Sequence, residues 1–448
     1  MVQHSQPGAP LKSATSERRD RDLTALLDWY RERPSQGRPW RLVIAGDLID
    51  FVGMSVSPGA EQFVTEHSPE ECSYGLGSAA DHTLAKLRRV AEHHREVFAA
   101  LGRFMAAGHT LVIVRGNHDV DFHWEAVQDA FRDVLTGHGA TSEAIEFADW
   151  FYYEEGNVYI EHGHQYDDFC SYEHVLHPVV PSDPRRSARS LSDILLRMVV
   201  RPTRGMRESG HDTKSALDYL RFAMQLGFGG LFGLGRRFLV AVATLLGIWR
   251  EHMSEAAQWV RREHDRKMAL LAEARQLSLV KLQALASLQR PPITKSVLRL
   301  LAGVMIDRVA FGVALVLTGL GLLATSFTPA LGVTVAVIMA ALAIAAWAWR
   351  RVRGSIDASA SLRERAAQVA TVFPAAFVVM GHTHLPERFE TSAESCYVNL
   401  GAWAEEEVDE GEASRLPATR THLVVQFVDD RPTAALFRWA ADGRPTRF

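Results

Sequence analysis

A chain of 448 residues is long enough for two or three domains, each burying its own core. Its net charge of −4 excludes the broad basic surface that nucleic-acid binding needs. Three scattered cysteines, Cys72, Cys170 and Cys396, form no CxxC pair, which argues against a disulfide framework and a thiolate zinc site.

The opening "MVQHSQPGAPLKSATSERRDRD" lacks the apolar core of a secretory signal, and a reducing compartment is expected. Residues 16–32 read as an amphipathic helix started by Ser16. "RLVIAGDLIDF" follows as strand and loop, 52–79 as a loop, and 80–107 as a helix. "LVIV" is a buried strand that runs into "RGNHD"; "AVQDAFRDVL" is a helix, and "NVYIEHGHQYD" a strand with a polar tip. This alternation predicts an α/β domain, or a layered α/β/β/α one.

After about residue 170 the pattern changes, with Pro178, Pro181 and Pro184 interrupting the chain. Residues 231–249 carry Arg236 and Arg237 at their middle and read as an interfacial or re-entrant helix, a core helix being the competing reading. Residues 250–289 read as one long helix with a narrow apolar stripe, a coiled-coil-like arm through which the chain would self-associate. Two uncharged runs, 309–327 and 330–349, flank Thr328-Pro329. Each is ~30 Å long as a helix, so 309–349 predicts a membrane hairpin, against a buried hairpin in a soluble protein. Arg308 at one outer end and Arg350, Arg351 and Arg353 at the other place both termini in the cytoplasm. "AAFVVM" then restores a strand and "THLVVQFVDDRPTAALFRW" a β-hairpin. The division expected is a domain built from 1–170 and 366–448, interrupted by a helical insertion, 171–365.

Four strand tips carry polar clusters: Asp47 and Asp50; Asn117, His118 and Asp119; His162, His164 and Asp167; His382 and His384. Carboxylate, carboxamide and imidazole together suit two divalent cations, manganese first, with iron, zinc or cobalt as alternatives. Two such ions could activate a water and neutralise a phosphoryl group, and Asp47 is the candidate carboxylate between them.

In this order "GDLID", "GNHD", "EHGHQYD" and "GHTH" resemble the calcineurin-like metallophosphoesterases over about 1–170 and 370–448. The resemblance implies a four-layer αββα sandwich with a dinuclear centre. Asp47 would bridge the metals, Asn117, His162 and His382 would complete one site, and His384 would serve the other. His118 would act as acid toward the leaving oxygen, oriented by Asp119. "YVNLGAW" (397–403) resembles the strand and turn that come after the last motif in many members; His164 and Asp167 remain near-site polar residues.

The family's opening Asp-x-His, carried on a first strand, has no counterpart upstream of Asp47, where His4 is the one histidine and Val2 stands at the Asp position. The expectation is a chain that begins downstream of its natural start; the alternative is a degraded metal site. "EHGHQYD" and the chain after it look most like the group related to UDP-2,3-diacylglucosamine diphosphatase; the resemblance implies a phosphoester or pyrophosphate substrate, with a lipid-linked, amphiphilic one as one reading and a different substrate for a membrane-tethered phosphoesterase as the other. The expected setting is the cytoplasmic membrane, multi-pass, with the catalytic domain on the cytoplasmic side. The competing function is a catalytically impaired membrane scaffold or ligand sensor of the same fold.

Overall fold

The computed structural model describes residues 14–59, 61–203, 227–303, 337–341, 343–344, 357–404, 419–429 and 431–448. Apart from 337–341 and 343–344, the expected membrane hairpin 309–349 lies outside the described residues.

Two sheets, one parallel and one mixed, organise the first half and the C-terminal part of the chain. β1 (Arg41–Ala45), β2 (Thr110–Val114) and β3 (Ile145–Ala148) form one, all parallel, in the order β1-β2-β3. The other contains β4 (Phe151–Glu154), β5 (Gly156–Glu161), β8 (Ala375–Met380), β9 (Glu387–Glu390) and β10 (Cys396–Asn399), in the order β4-β5-β8-β10-β9. Its three central strands run parallel, with Val158 beside Phe377 and Cys396 beside Phe377. A short ladder pairs β6 (Val179–Val180) with β7 (Asp183–Ser187), and β11 (Thr421–Val428), β12 (Arg431–Trp439) and β13 (Pro445–Arg447) form an antiparallel sheet.

Strand periodicity explains the layers. Successive side chains point to opposite faces. On β2, Leu111 and Ile113 pack against helices, whereas Val112 and Val114 face the second sheet. β5, β8 and β10 divide likewise: Val158, Ile160, Phe377, Val379 and Val398 turn inward, and Tyr159, Val378, Met380 and Tyr397 turn outward. Each apolar side chain so buried contributes about 1.5–3 kcal/mol relative to exposure. The helices Ala80–His93, Arg95–Ala106 and Glu125–Thr136 cover the outer face of the first sheet. Ala358–Val372, with Met268, Ala272, Leu282 and Leu285, covers the second. The result is a mixed α/β fold with one parallel and one mixed sheet, the α/β class being as expected.

Two predicted helices break. Residues 80–107 divide at His94, whose φ of −105° leaves the helical region while its buried Nδ1 lies 2.8 Å from Asp20. Residues 250–289 form Glu255–Ala274 and Leu279–Leu288 rather than one arm. Gln276 takes φ 54° between them, and the buried part of the stripe packs into the core of its own chain.

The chain divides into two compact units. One comprises Met1–Ser209, Arg250–Pro292 and Ala358–Phe448, and holds every strand found among the described residues; the other comprises Gly210–Trp249 and Ile293–Asp357. Among the described residues one helical segment, Phe232–His252, is long and apolar enough to cross a membrane, and Phe232 and Leu239 on it are exposed. A multi-pass topology finds no support among those residues.

Candidate metal centre

The polar tips meet where β1, β2, β5 and β8 end. Gly46 turns the chain after β1 at φ 86°, and a Cβ there would lie 2.5 Å from His162 Nδ1. Asp47 comes next at φ 55°. Its Oδ1 accepts the His118 backbone N–H at 2.9 Å, and its Oδ2 lies 3.0 Å from His162 Nε2. Gly116 is required opposite, since a Cβ would stand 2.2 Å from Asp47 Oδ1. Asn117, nearly fully buried, brings Oδ1 to 3.1 Å from His162 Nε2. One nitrogen of His162 thus faces two oxygen donors. The other, Nδ1, is anchored at 2.8 Å on the Ala45 carbonyl, the second contact that fixes a ligating imidazole.

Oxygen and imidazole donors converging in this way fit a divalent cation. The electrostatics agree. Asp47 is held well below the carboxylate range: burial opposes its charge, but His162 and His118 outweigh burial. His164 sits near its partner His162, ring centroids 5.4 Å apart, and burial together with His162 and His382 keeps it well below its usual value and neutral.

His382 and His384 arrive on the turn after β8. The His382 ring centroid is 5.3 Å from that of His162, and the electrostatic neighbours of His384 are Asp47, His382, His118 and His162. Both histidines have left-handed backbones, φ 67° and 61°. Of the seven non-glycine residues with positive φ among those described, three are Asp47, His382 and His384. Such strain, about 1–3 kcal/mol each, persists where surrounding contacts over-determine it. The contacts are visible: Gly381 N–H donates to the His162 carbonyl at 3.0 Å. Asn399, fully buried in "YVNLGAW", donates through Nδ2 to Gly381 O at 2.7 Å and Thr383 Oγ1 at 3.0 Å.

His118 is paired differently from expectation. Its Nδ1 lies 2.8 Å from Asp50 Oδ1, not on Asp119. Asp50 Oδ1 also accepts Gly53 N–H at 2.7 Å, and Oδ2 accepts Arg201 Nη2 at 2.8 Å. Burial opposes the charge on His118, but Asp50 and Asp47 lift it to about 10. Asp119 instead accepts two backbone amides, Leu48 N–H at 2.8 Å and Gly116 N–H at 2.6 Å, and so ties the β1 and β2 loops together. Burial and the nearby Asp47 raise it to about 6. Asp167 takes the second near-site position, its Oδ2 3.0 Å from His382 Nε2.

Arg201 is the residue that sequence reasoning missed. It comes after a capped turn, Ser190 with Asp193, and a π-helical turn, Leu196–Val200, closed by Arg201 N–H to Leu196 O at 2.9 Å. A π turn shifts the next side chain round the axis, and such turns recur at functional sites. Nothing in the local composition marks it. The capping pair Ser190-x-x-Asp193 is the nearest readable signal.

The family model described as calcineurin-like phosphoesterase matches residues 16–221. No curated protein and no solved structure matches the chain. The family is one of metal-dependent phosphoester hydrolases whose members generally bind two divalent metals. The strand tips bearing Asp47, Asn117 and His162 all fall within the matched segment. Over residues 16–221 the chain is therefore similar to the calcineurin-like phosphoesterases.

Proposed function

We propose that the chain hydrolyses a phosphoester or pyrophosphate with a metal-activated water, on an amphiphilic, lipid-linked substrate. The observation that carries this reading is the convergence of His162 Nε2 on Asp47 Oδ2 and Asn117 Oδ1 at 3.0 and 3.1 Å, beside the His118–Asp50 pair at 2.8 Å. Divalent metals, manganese first with iron, zinc or cobalt as alternatives, would supply an acidified water and neutralise phosphoryl charge. In this reading Asp47 would serve both metal positions, Asn117, His162 and His382 would hold one, and His384 would hold the other.

The chain's own groups do the rest. Asp50 takes His118 Nδ1 and so fixes the ring, leaving Nε2 to carry the proton to the leaving oxygen. Asp50, rather than Asp119, is the orienting carboxylate in this account. Arg201 ties the far oxygen of Asp50 and keeps that carboxylate ionised between two cations. The helix Phe232–His252 supports action near a membrane. The step to a multi-pass anchor with the hairpin 309–349, and a catalytic domain on the cytoplasmic side, rests on the uncharged runs and their flanking arginines.

The test is manganese-dependent hydrolysis of bis(4-nitrophenyl) phosphate by the detergent-purified chain. His118→Ala is expected to lower kcat by about 10²–10⁴-fold. Turnover that needs neither manganese nor His118 would remove this reading.

A further inference from the structure

The turn after β5 gathers a second set of donors. Asp167, Cys170 and His382 each offer one atom, and these atoms all lie within 4.8 Å of one another. Among the described residues no other group of three His, Cys, Asp or Glu side chains is so close. Asp167 and Cys170 share one tight turn, closed by Cys170 N–H to Asp167 O at 3.1 Å and Ser171 N–H to the same oxygen at 2.8 Å. His382 reaches them from the tip of β8, on the other half of the chain. The Asp167 and His382 side chains are 12% and 8% exposed and Cys170 is half-buried, so the set is partly shielded from solvent.

We propose that Asp167, Cys170 and His382 form a mixed oxygen, sulfur and nitrogen site for a thiophilic divalent cation such as zinc.

The spacing permits one ion. Zinc binds carboxylate oxygen, imidazole nitrogen and thiolate sulfur at ~2.0–2.3 Å in tetrahedral sites, so donors on one ion stand ~3.3–3.8 Å apart. Asp167 Oδ2 and His382 Nε2 are 3.0 Å apart, a hydrogen-bond distance that would open by a few tenths of an ångström, to about 3.3–3.4 Å, around a tetrahedral ion. The thiol separates the two readings. A carboxylate that merely orients an imidazole needs no sulfur beside it, whereas a soft donor selects zinc or another thiophilic ion over manganese. Ser192 Oγ stands 3.2 Å from Cys170 Sγ and gives the sulfur a polar neighbour. Binding would convert the thiol to thiolate, its proton passing to solvent. Cysteine spacing in the sequence could not reveal such a site, because it uses one thiol and two ligands of other kinds.

The site shares His382 with the proposed phosphoesterase centre and otherwise does not rest on that reading. A thiophilic ion bound here would engage an imidazole the other centre uses.

Cobalt(II) chloride titrated into the full-length, metal-stripped protein tests it, because a cobalt–thiolate bond gives a near-ultraviolet charge-transfer band that oxygen and nitrogen ligands do not. The band is expected in the native chain, absent from Cys170→Ser, and intact in a Cys72→Ser/Cys396→Ser double variant. Asp167→Asn, which keeps the thiol, is expected to need more cobalt to reach the same band. Circular dichroism confirms that each variant is folded. No band in the native chain, or a band that survives Cys170→Ser, would overturn the proposal and leave Asp167 as a hydrogen-bond acceptor for His382. Since the spectrum needs no turnover, it is decided separately from phosphodiesterase activity.

Discussion

Asp50 and Asp119 show how far adjacency in sequence misleads about adjacency in space. Asp119 neighbours His118 along the chain, yet it turns to the amides of Leu48 and Gly116, while Asp50, 68 residues away, meets the imidazole. The two carboxylates should therefore fail differently. Asp119→Asn presents an amide N–H₂ where one of two backbone donors needs an acceptor, at a cost of about 1–3 kcal/mol in stability. Thermal unfolding should record that loss, and the alkaline limb of the pH–rate profile should stay in place. Asp50→Asn removes the charge that helps lift His118. Its alkaline limb should move to lower pH, and an unmoved limb would take Asp50 out of the role assigned to it. The clusters at Asp47, Asn117, His162, His382 and His384 were legible because each comes after a β-rich apolar run, which identifies a strand tip. The Asp50 pairing was not, because pairing between loops depends on register, and Arg201 was not, because a π turn has no periodic signature.

At the scale of elements, the loops after β1 and β2 leave no room between them. A methyl group at Gly116 would stand 2.2 Å from Asp47 Oδ1 and 2.6 Å from Asp47 N. Gly116→Ala should thus displace Asp47, and calorimetry should show manganese affinity falling by tenfold or more, about 1.4 kcal/mol. The expected 250–289 helix breaks where serines precede helical runs: Ser254 caps its run by accepting the Ala257 N–H, whereas Ser278 makes no capping hydrogen bond. What the sequence could not display was that Met268, Ala272, Leu282 and Leu285 cover the second sheet. The helix Glu255–Ala274 also bears on acid stability. Trp259 lies with its ring centroid 5.4 Å from that of His177, which is itself 5.2 Å from His123. Burial, then Lys267, pushes His177 down to about 4; burial, then Arg115 and Lys267, pushes His123 down to about 2. Both values lie below the unfolded value near ~6.5, so below that pH the unfolded chain binds more protons and stability falls as pH falls toward about 4. In chelator-treated protein the melting temperature should drop from pH 7.5 to 5.0. The drop should shrink in His177→Phe; an equal drop would exclude this histidine as a source of acid sensitivity.

For the whole molecule, the membrane is the open physical question that a simple fractionation answers. The helix Phe232–His252 is expected to keep the full chain in the pellet when membranes are washed with alkaline carbonate. Replacing Phe232 and Leu239 by Lys should release it, and release of the native chain would remove the membrane from the account. The α/β class was legible from alternating elements, because burial imposes a period on the sequence. The matched segment, 16–221, ends well short of β8 and β10. Only the quoted motifs at their tips joined the two parts, since nothing periodic connects strands separated by a long insertion. That separation has a consequence for synthesis. Gly156 on β5 pairs with Ala375 on β8, 219 positions later (375 − 156). A ribosome adding about 5–20 residues per second takes roughly 10–45 s to cover that distance. Throughout that interval the nascent β5 has an open, apolar edge, and the helix Phe232–His252 emerges before its partner strand does. The order of events on the ribosome is therefore fixed: the apolar helix must find its surroundings first, and the sheet that carries His162 closes only after β8 has been made.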